Sequence, residues 1–96
     1  MSISELLERR RTEILRIAAS HGARRVRVFG STARGEAGPT SDLDLLVQMD
    51  DGRSMLDLVG LWQDLEEALG ISVDVVTEGG LSPHLKDKIE NESVEL

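Results

Sequence analysis

A glycine-serine step and a nearby aspartate pair are the residues of this chain best suited to chemistry. Within VRVFGSTARGEAGPTSDLDLLV, residues 26–47, Gly30-Ser31 closes a short apolar run, and Asp42-Leu43-Asp44 follows after ten intervening residues. Thr32, Ala33 and Arg34 read as a small helical turn, and backbone N–H groups freed where a strand enters such a turn suit an anion. In a strand, the period of two sends Asp42 and Asp44 to one face and Leu43, Leu45 and Val47 to the other. Carboxylates held so close repel unless a positive charge lies between them. Oxygen-only ligands favour Mg²⁺ or a similar hard cation, with substrate phosphates completing its shell. A phosphate cradle beside a carboxylate pair therefore predicts a nucleotide site. A purely structural role is open to Gly30-Ser31 as a strand-to-helix cap and to Asp42 as an Asx-type loop residue. Neither role accounts for Asp44 facing the same way.

The surrounding elements are legible from periodicity. Ser2-Ile3-Ser4-Glu5 has the form of a capping box, and Ile3, Leu6, Leu7, Ile14, Ile17 and Ala18 recur at helical spacing, predicting a first helix to about Ser20 that Gly22 ends. Arg9, Arg10 and Arg11 cannot share one face, so part of the triplet is solvent-exposed. His21 falls at the helix C-terminus, where the dipole favours a cation, and reads as a capping-region residue. Arg24 to Phe29 alternates as a half-buried strand, with Val26 and Val28 inward and Arg25 and Arg27 outward. Gly35 to Thr40 is a loop by composition, returning the chain to a second strand that carries Asp42 and Asp44. Asp50-Asp51-Gly52 is a turn signal, and Ser54 to Asp57 looks like a second cap. Met55, Leu58, Val59, Trp62, Leu65 and Leu69 then form the stripe of what is expected to be the longest buried helix. Trp62 is expected in the core, a base-stacking or partner surface being the alternative. Ile71 to Val76 alternates as a third strand with residues 71, 73 and 75 in the core and Asp74 on the other face. If that strand pairs beside the second, Asp74 joins Asp42 and Asp44. Ser82-Pro83 opens a last helix with Leu81, Leu85 and Ile89 as its stripe and His84 exposed. Val94 and Leu96 form an apolar tail suited to docking on the sheet or on a partner.

Composition bounds the rest. Ninety-six residues suit a single domain over 1–96 with a two-layer core and little room for a second lobe. Trp62 and Phe29 are the only aromatics, so Leu, Ile, Val and Ala must build the core. There is no cysteine, which removes disulfides and thiolate metal sites. No apolar run approaches a membrane span or secretory signal, so a soluble cytoplasmic protein with no membrane association is expected. The net charge of −7 is uneven: residues 1–34 hold eight Arg against three Glu (+5), and residues 35–96 hold three basic against fifteen acidic residues (−12). The basic end suits steering of a phosphate or an acidic partner. The acidic balance argues against direct binding of a long nucleic acid, which needs several cationic contacts.

The spacing Gly30-Ser31, ten residues, Asp42-Leu43-Asp44, with Asp74 in a strand one helix later, resembles the polymerase-β-like nucleotidyltransferase superfamily. The run GSTARGEAGPTSDLDLLV and the length resemble more narrowly the minimal nucleotidyltransferase family, including its MntA-type antitoxins. The resemblance spans nearly the whole chain. It implies an α/β (α+β) nucleotidyltransferase fold, a small mixed sheet of about three strands with about four helices packed on it. It further implies that Gly30 and Ser31 hold the β- and γ-phosphates of ATP, with Arg34 as a further phosphate ligand. Asp42 and Asp44 would bind Mg²⁺ bridging the triphosphate, and Asp74 would complete the shell of a second ion and help deprotonate the attacking hydroxyl. In-line attack at the α-phosphorus then expels pyrophosphate, with two metals stabilising both oxygens. The implied acceptor is a tyrosine of a HEPN-family ribonuclease toxin, which the antitoxin adenylylates. A rival reading is a non-catalytic antitoxin that neutralises the HEPN partner by binding, its nucleotide site vestigial. A transferase for a small acceptor such as an aminoglycoside would ordinarily need an added helical domain.

Overall fold

The computed structural model describes residues 3–35 and 42–96. Helix α1 spans Ile3–Ser20, β1 Ala23–Phe29, α2 Gly30–Ala33, β2 Leu43–Met49, α3 Met55–Leu69, β3 Val73–Thr77, α4 Pro83–Glu92 and β4 Val94–Glu95, with a 3₁₀ turn at Glu78–Gly80. The sheet order is β3-β2-β1-β4. β1 runs antiparallel to β2 and β4, while β2 and β3 are parallel, α3 being the crossover between them.

One face of this sheet is dry. Val26, Val28, Leu43, Leu45, Val47, Val73 and Val75 meet Leu7, Ile14 and Ala18 of α1 and Leu61, Leu65 and Leu69 of α3 in one continuous core. Each fully buried leucine or isoleucine contributes about 1.5–3 kcal/mol. The dry face fixes the register, because slipping a strand by one residue would turn its aspartate into the core.

The local signals hold at most element ends. Gly22 follows α1 at φ +85, Gly70 caps α3 at φ +68, and Ser54 with Asp57 forms a reciprocal capping box. The turn at Asp50-Asp51-Gly52 is closed by Arg53 N–H donating to the Asp50 carbonyl at 3.2 Å. Arg9 and Arg11 are exposed, whereas Arg10 donates to the Ala68 carbonyl at 2.7 Å and ties α1 to the end of α3. His21 pairs with Asp64 at 2.6 Å. Ser2 of the expected first cap, and the expected loop from residue 36 to 40, lie outside the described residues.

Four expectations need correction. Arg27 is not outward in water but 6% exposed, its guanidinium against Glu78. It shares the second sheet face with its β2 partner Leu46, which is also buried. Trp62 is 40% exposed and Met55 70%, since α3 turns Leu61, Leu65 and Leu69 to the sheet. That helix is apolar over a wide arc, so hydrophobic spacing does not single out the buried side. α3 is also shorter than α1, with 15 residues against 18. No residue of α4 is buried, and Leu85 is 51% exposed. The apolar tail docks on the sheet, one of the two placements expected of it, as a fourth strand with Val94 pairing with Val28 and Glu95 with Arg27.

Candidate active site

The chain leaves β1 at Phe29 and turns through Gly30, at φ +72, into α2. Across the sheet Phe29 lies opposite Asp44, and Asp44 lies opposite Asp74. Residues directly opposite share a face, and adjacent strands stand roughly 4.8 Å apart, so the two aspartates are lateral neighbours on the face away from α1 and α3. Asp42 is exposed just before β2 begins, not inside it, and the Leu43 N–H donating to the Ser72 carbonyl at 3.0 Å fastens that entry to β3. Gly30 packs against Asp44: a Cβ built on it would lie 2.3 Å from Asp44 Oδ2. The missing side chain is thus what lets the Asp44 carboxylate approach the turn.

Electrostatics mark the centre. The Asp44 carboxyl is held above the ordinary carboxylate range, first by burial, then by the negative charges of Asp74 and Asp42; Arg34 draws it back and Glu92 adds to the rise. All three aspartates therefore act on one point, and Arg34 stands beside them. Glu92, the last residue of α4, reaches in as well. Its Oε1 accepts from the Gly30 N–H at 3.0 Å and from Arg34 Nη1 at 2.9 Å. Thr32 Oγ1 in α2 is buried and has no partner among the described residues.

As placed, no three His, Cys, Asp or Glu side chains among the described residues form a closed metal cluster. The donor set nonetheless fits a hard divalent cation. It is all carboxylate oxygen, and the repulsion that Asp74 and Asp42 exert on Asp44 is what a cation between them would reverse. A cavity of about 430 Å³ opens elsewhere, lined by Arg24, Met49, Asp51, Arg53, Thr77 and Gly79 near the far ends of β2 and β3. It lacks the converging carboxylates, so the charged turn is the better candidate.

The structure brings together the residues that the sequence singles out. Asp44 and Asp74 meet by register, Asp42 and Arg34 act on Asp44, and Gly30 packs against it; Ser31 follows in α2, half-buried. Glu92 is the addition. It lies 62 positions from Gly30 in a polar helix, where a glutamate carries no distinguishing signal.

Residues 8–96 match the model of the nucleotidyltransferase domain family. A candidate protein adenylyltransferase of Methanocaldococcus jannaschii is 46% identical over 96 residues, covering 100% of this chain and 99% of the relative. The protein adenylyltransferase MntA of Thermococcus cleftensis is 38% identical over 73 residues, 76% of this chain and 74% of the relative. A solved candidate minimal nucleotidyltransferase superposes with a TM-score of 0.90 at 50% identity, over 100% of this chain and 97% of the other. A toxin–antitoxin crystal structure with AMP-PNP shares the fold at a TM-score of 0.75 and 23% identity, over 88% of this chain and 69% of the other. Among the described residues no helix is long and apolar enough to cross a membrane.

Proposed function

The chain belongs to the minimal nucleotidyltransferases of the nucleotidyltransferase domain family, and on that footing we propose that it transfers AMP from ATP to a tyrosine hydroxyl of a HEPN-type ribonuclease toxin, acting as the antitoxin of the pair with 1–96 as its single catalytic domain. The observation that carries this reading is the register that sets Asp44 beside Asp74, directly against Gly30. The protein adenylyltransferase assignment of both relatives supports the reaction class.

In this reading Gly30 N–H and the Ser31 hydroxyl hold the β- and γ-phosphates, and Arg34 donates to a phosphate oxygen. Asp42, Asp44 and Asp74 supply the oxygens for Mg²⁺, two ions completing the set. When bound, Mg²⁺ neutralises charge on the triphosphate and on the departing pyrophosphate. Asp74 takes the proton of the acceptor hydroxyl. The freed oxygen attacks the α-phosphorus in line, forming the new P–O bond as the bond to the β-bridging oxygen breaks, and pyrophosphate leaves with that electron pair. Positioning and charge stabilisation do most of the work in such a transfer.

The test incubates the chain with the protein encoded next to its gene, Mg²⁺ and ATP labelled at either the α- or the γ-phosphate. Label from the α position alone on the partner is expected. Label from the γ position would mean phosphoryl transfer, and neutralisation without label would mean inhibition by binding; either result overturns the reading.

A further inference from the structure

The end of α4 sits where the proposed reaction needs an anion. One oxygen of Glu92 accepts from both the Gly30 N–H, at 3.0 Å, and Arg34 Nη1, at 2.9 Å. The Glu92 side chain is 24% exposed and that of Arg34 47% exposed, so the carboxylate is turned into the β1–α2 corner and not laid out on the surface. A backbone N–H and a guanidinium converging on one anionic oxygen make the same charge-assisted bonds to a carboxylate as to a phosphoryl oxygen. Only one of the two can hold them at a time.

The placement is otherwise unfavourable. Glu92 adds a fourth negative charge beside Asp42, Asp44 and Asp74, and its effect on Asp44 has the same sign as theirs. What holds it is the pair of donors. None of the residues of α4 is buried, and its main contacts with the body are made to α2 and β1, although β4 directly after it is paired to β1. A segment with so little apolar burial opens at low free-energy cost.

We propose that Glu92 is an internal competitor for the phosphate seat. With no nucleotide present its carboxylate occupies Gly30 N–H and Arg34; a nucleoside triphosphate binds by taking both donors from it and releasing the end of α4 from α2. This rests on the reading of Gly30-Ser31 as the phosphate cradle and adds a regulation to it. Nucleotide affinity is set below what the bare cradle would give, and any partner that draws α4 aside raises it.

Calorimetric titration of AMP-PNP with Mg²⁺ into the wild-type chain, Glu92→Gln, Glu92→Ala and Glu90→Gln tests this. Glu90→Gln makes the same change in net charge on the same helix without touching the donors. Glu92→Ala is expected to bind about tenfold more tightly than wild type, equivalent to about 1.4 kcal/mol; Glu92→Gln should shift the same way, and Glu90→Gln should match wild type. Hydrogen exchange across residues 83–92 of the wild type should quicken when AMP-PNP is added. Equal or weaker binding by both Glu92 variants, or protection of α4 by the nucleotide, overturns the proposal while leaving the phosphate cradle standing. Absence of binding to every chain overturns the cradle, and the competitor with it.

Discussion

Substituting Gly30 by alanine separates what the turn does for stability from what it does for chemistry. Gly30 has φ +72, and Gly70, at the end of α3, has φ +68. An L-residue in the left-handed region costs about 1–2 kcal/mol, so both Gly30→Ala and Gly70→Ala should be destabilised by about that much. For a domain of this size the loss corresponds to a fall in Tm of roughly 4–16 °C. The two sites differ in what the new methyl group meets. At Gly70 nothing lies within 4 Å of it, while at Gly30 it would stand 2.3 Å from Asp44 Oδ2. That oxygen must retreat by about 1 Å to reach van der Waals distance, which a short side chain does by turning, at little further loss of stability. A displacement of that size at a reacting centre costs about 10²-fold in rate. Thermal melts and AMP transfer to the partner, measured on both variants at a temperature where both are folded, give the comparison. Similar melting points, with transfer lost only in Gly30→Ala, are expected. A Gly30→Ala chain that transfers at the wild-type rate would overturn this role for Gly30, as would a Gly70→Ala chain that loses transfer equally.

Asp44→Asn should abolish transfer yet raise the Tm of the metal-free chain at neutral pH. The folded state holds the Asp44 carboxyl above its ordinary range, so it binds that proton more tightly than the unfolded chain does. Ionised Asp44 therefore subtracts stability, by an amount that grows as pH rises from the unfolded carboxylate range through the raised folded value. Melts in chelator should show the variant's advantage vanish as pH falls below the ordinary aspartate range; a lower Tm for the variant at neutral pH would be the opposite result. Glu78→Ala leaves the buried Arg27 guanidinium without its counter-charge and should cost about 3 kcal/mol in urea unfolding. In α3, Leu61→Ala should cost about 2–5 kcal/mol against less than about 1 for Trp62→Ala, by the same measurement. Equal losses at the two positions would place the helix on the wrong side.

Of the candidate site, the meeting of Asp44 and Asp74 was legible in the sequence because strand periodicity fixes both. Asp44 and Asp74 each stand one residue from core positions, Leu43 and Leu45 in one strand and Val73 and Val75 in the other, so burying those four sends both carboxylates to the opposite face. What periodicity did not contain was the second coat of the sheet. Arg27 alternates as an outward residue should, yet Glu78 and its surroundings bury it, a long-range pairing that no local pattern encodes. Trp62 and Leu61 lie side by side on a helix apolar over a wide arc, and its packing against β3 and α1 chooses between them. Val94 and Glu95 are too short a run to announce a strand, and gain their conformation from the open edge of β1. Glu92 belongs with these: its meaning comes from reaching Gly30 and Arg34 across the fold.

The most direct measurement is intact-mass spectrometry of the proposed HEPN-type partner after incubation with this chain, ATP and Mg²⁺, run in parallel for wild type, Asp42→Asn, Asp44→Asn and Asp74→Asn. The partner is expected to gain the mass of one or more AMP groups with the wild type and none with any aspartate variant, each variant remaining folded by circular dichroism. A partner neutralised by the wild type with no gain in mass, or one that gains AMP from the aspartate variants at the wild-type rate, would contradict the proposed transfer.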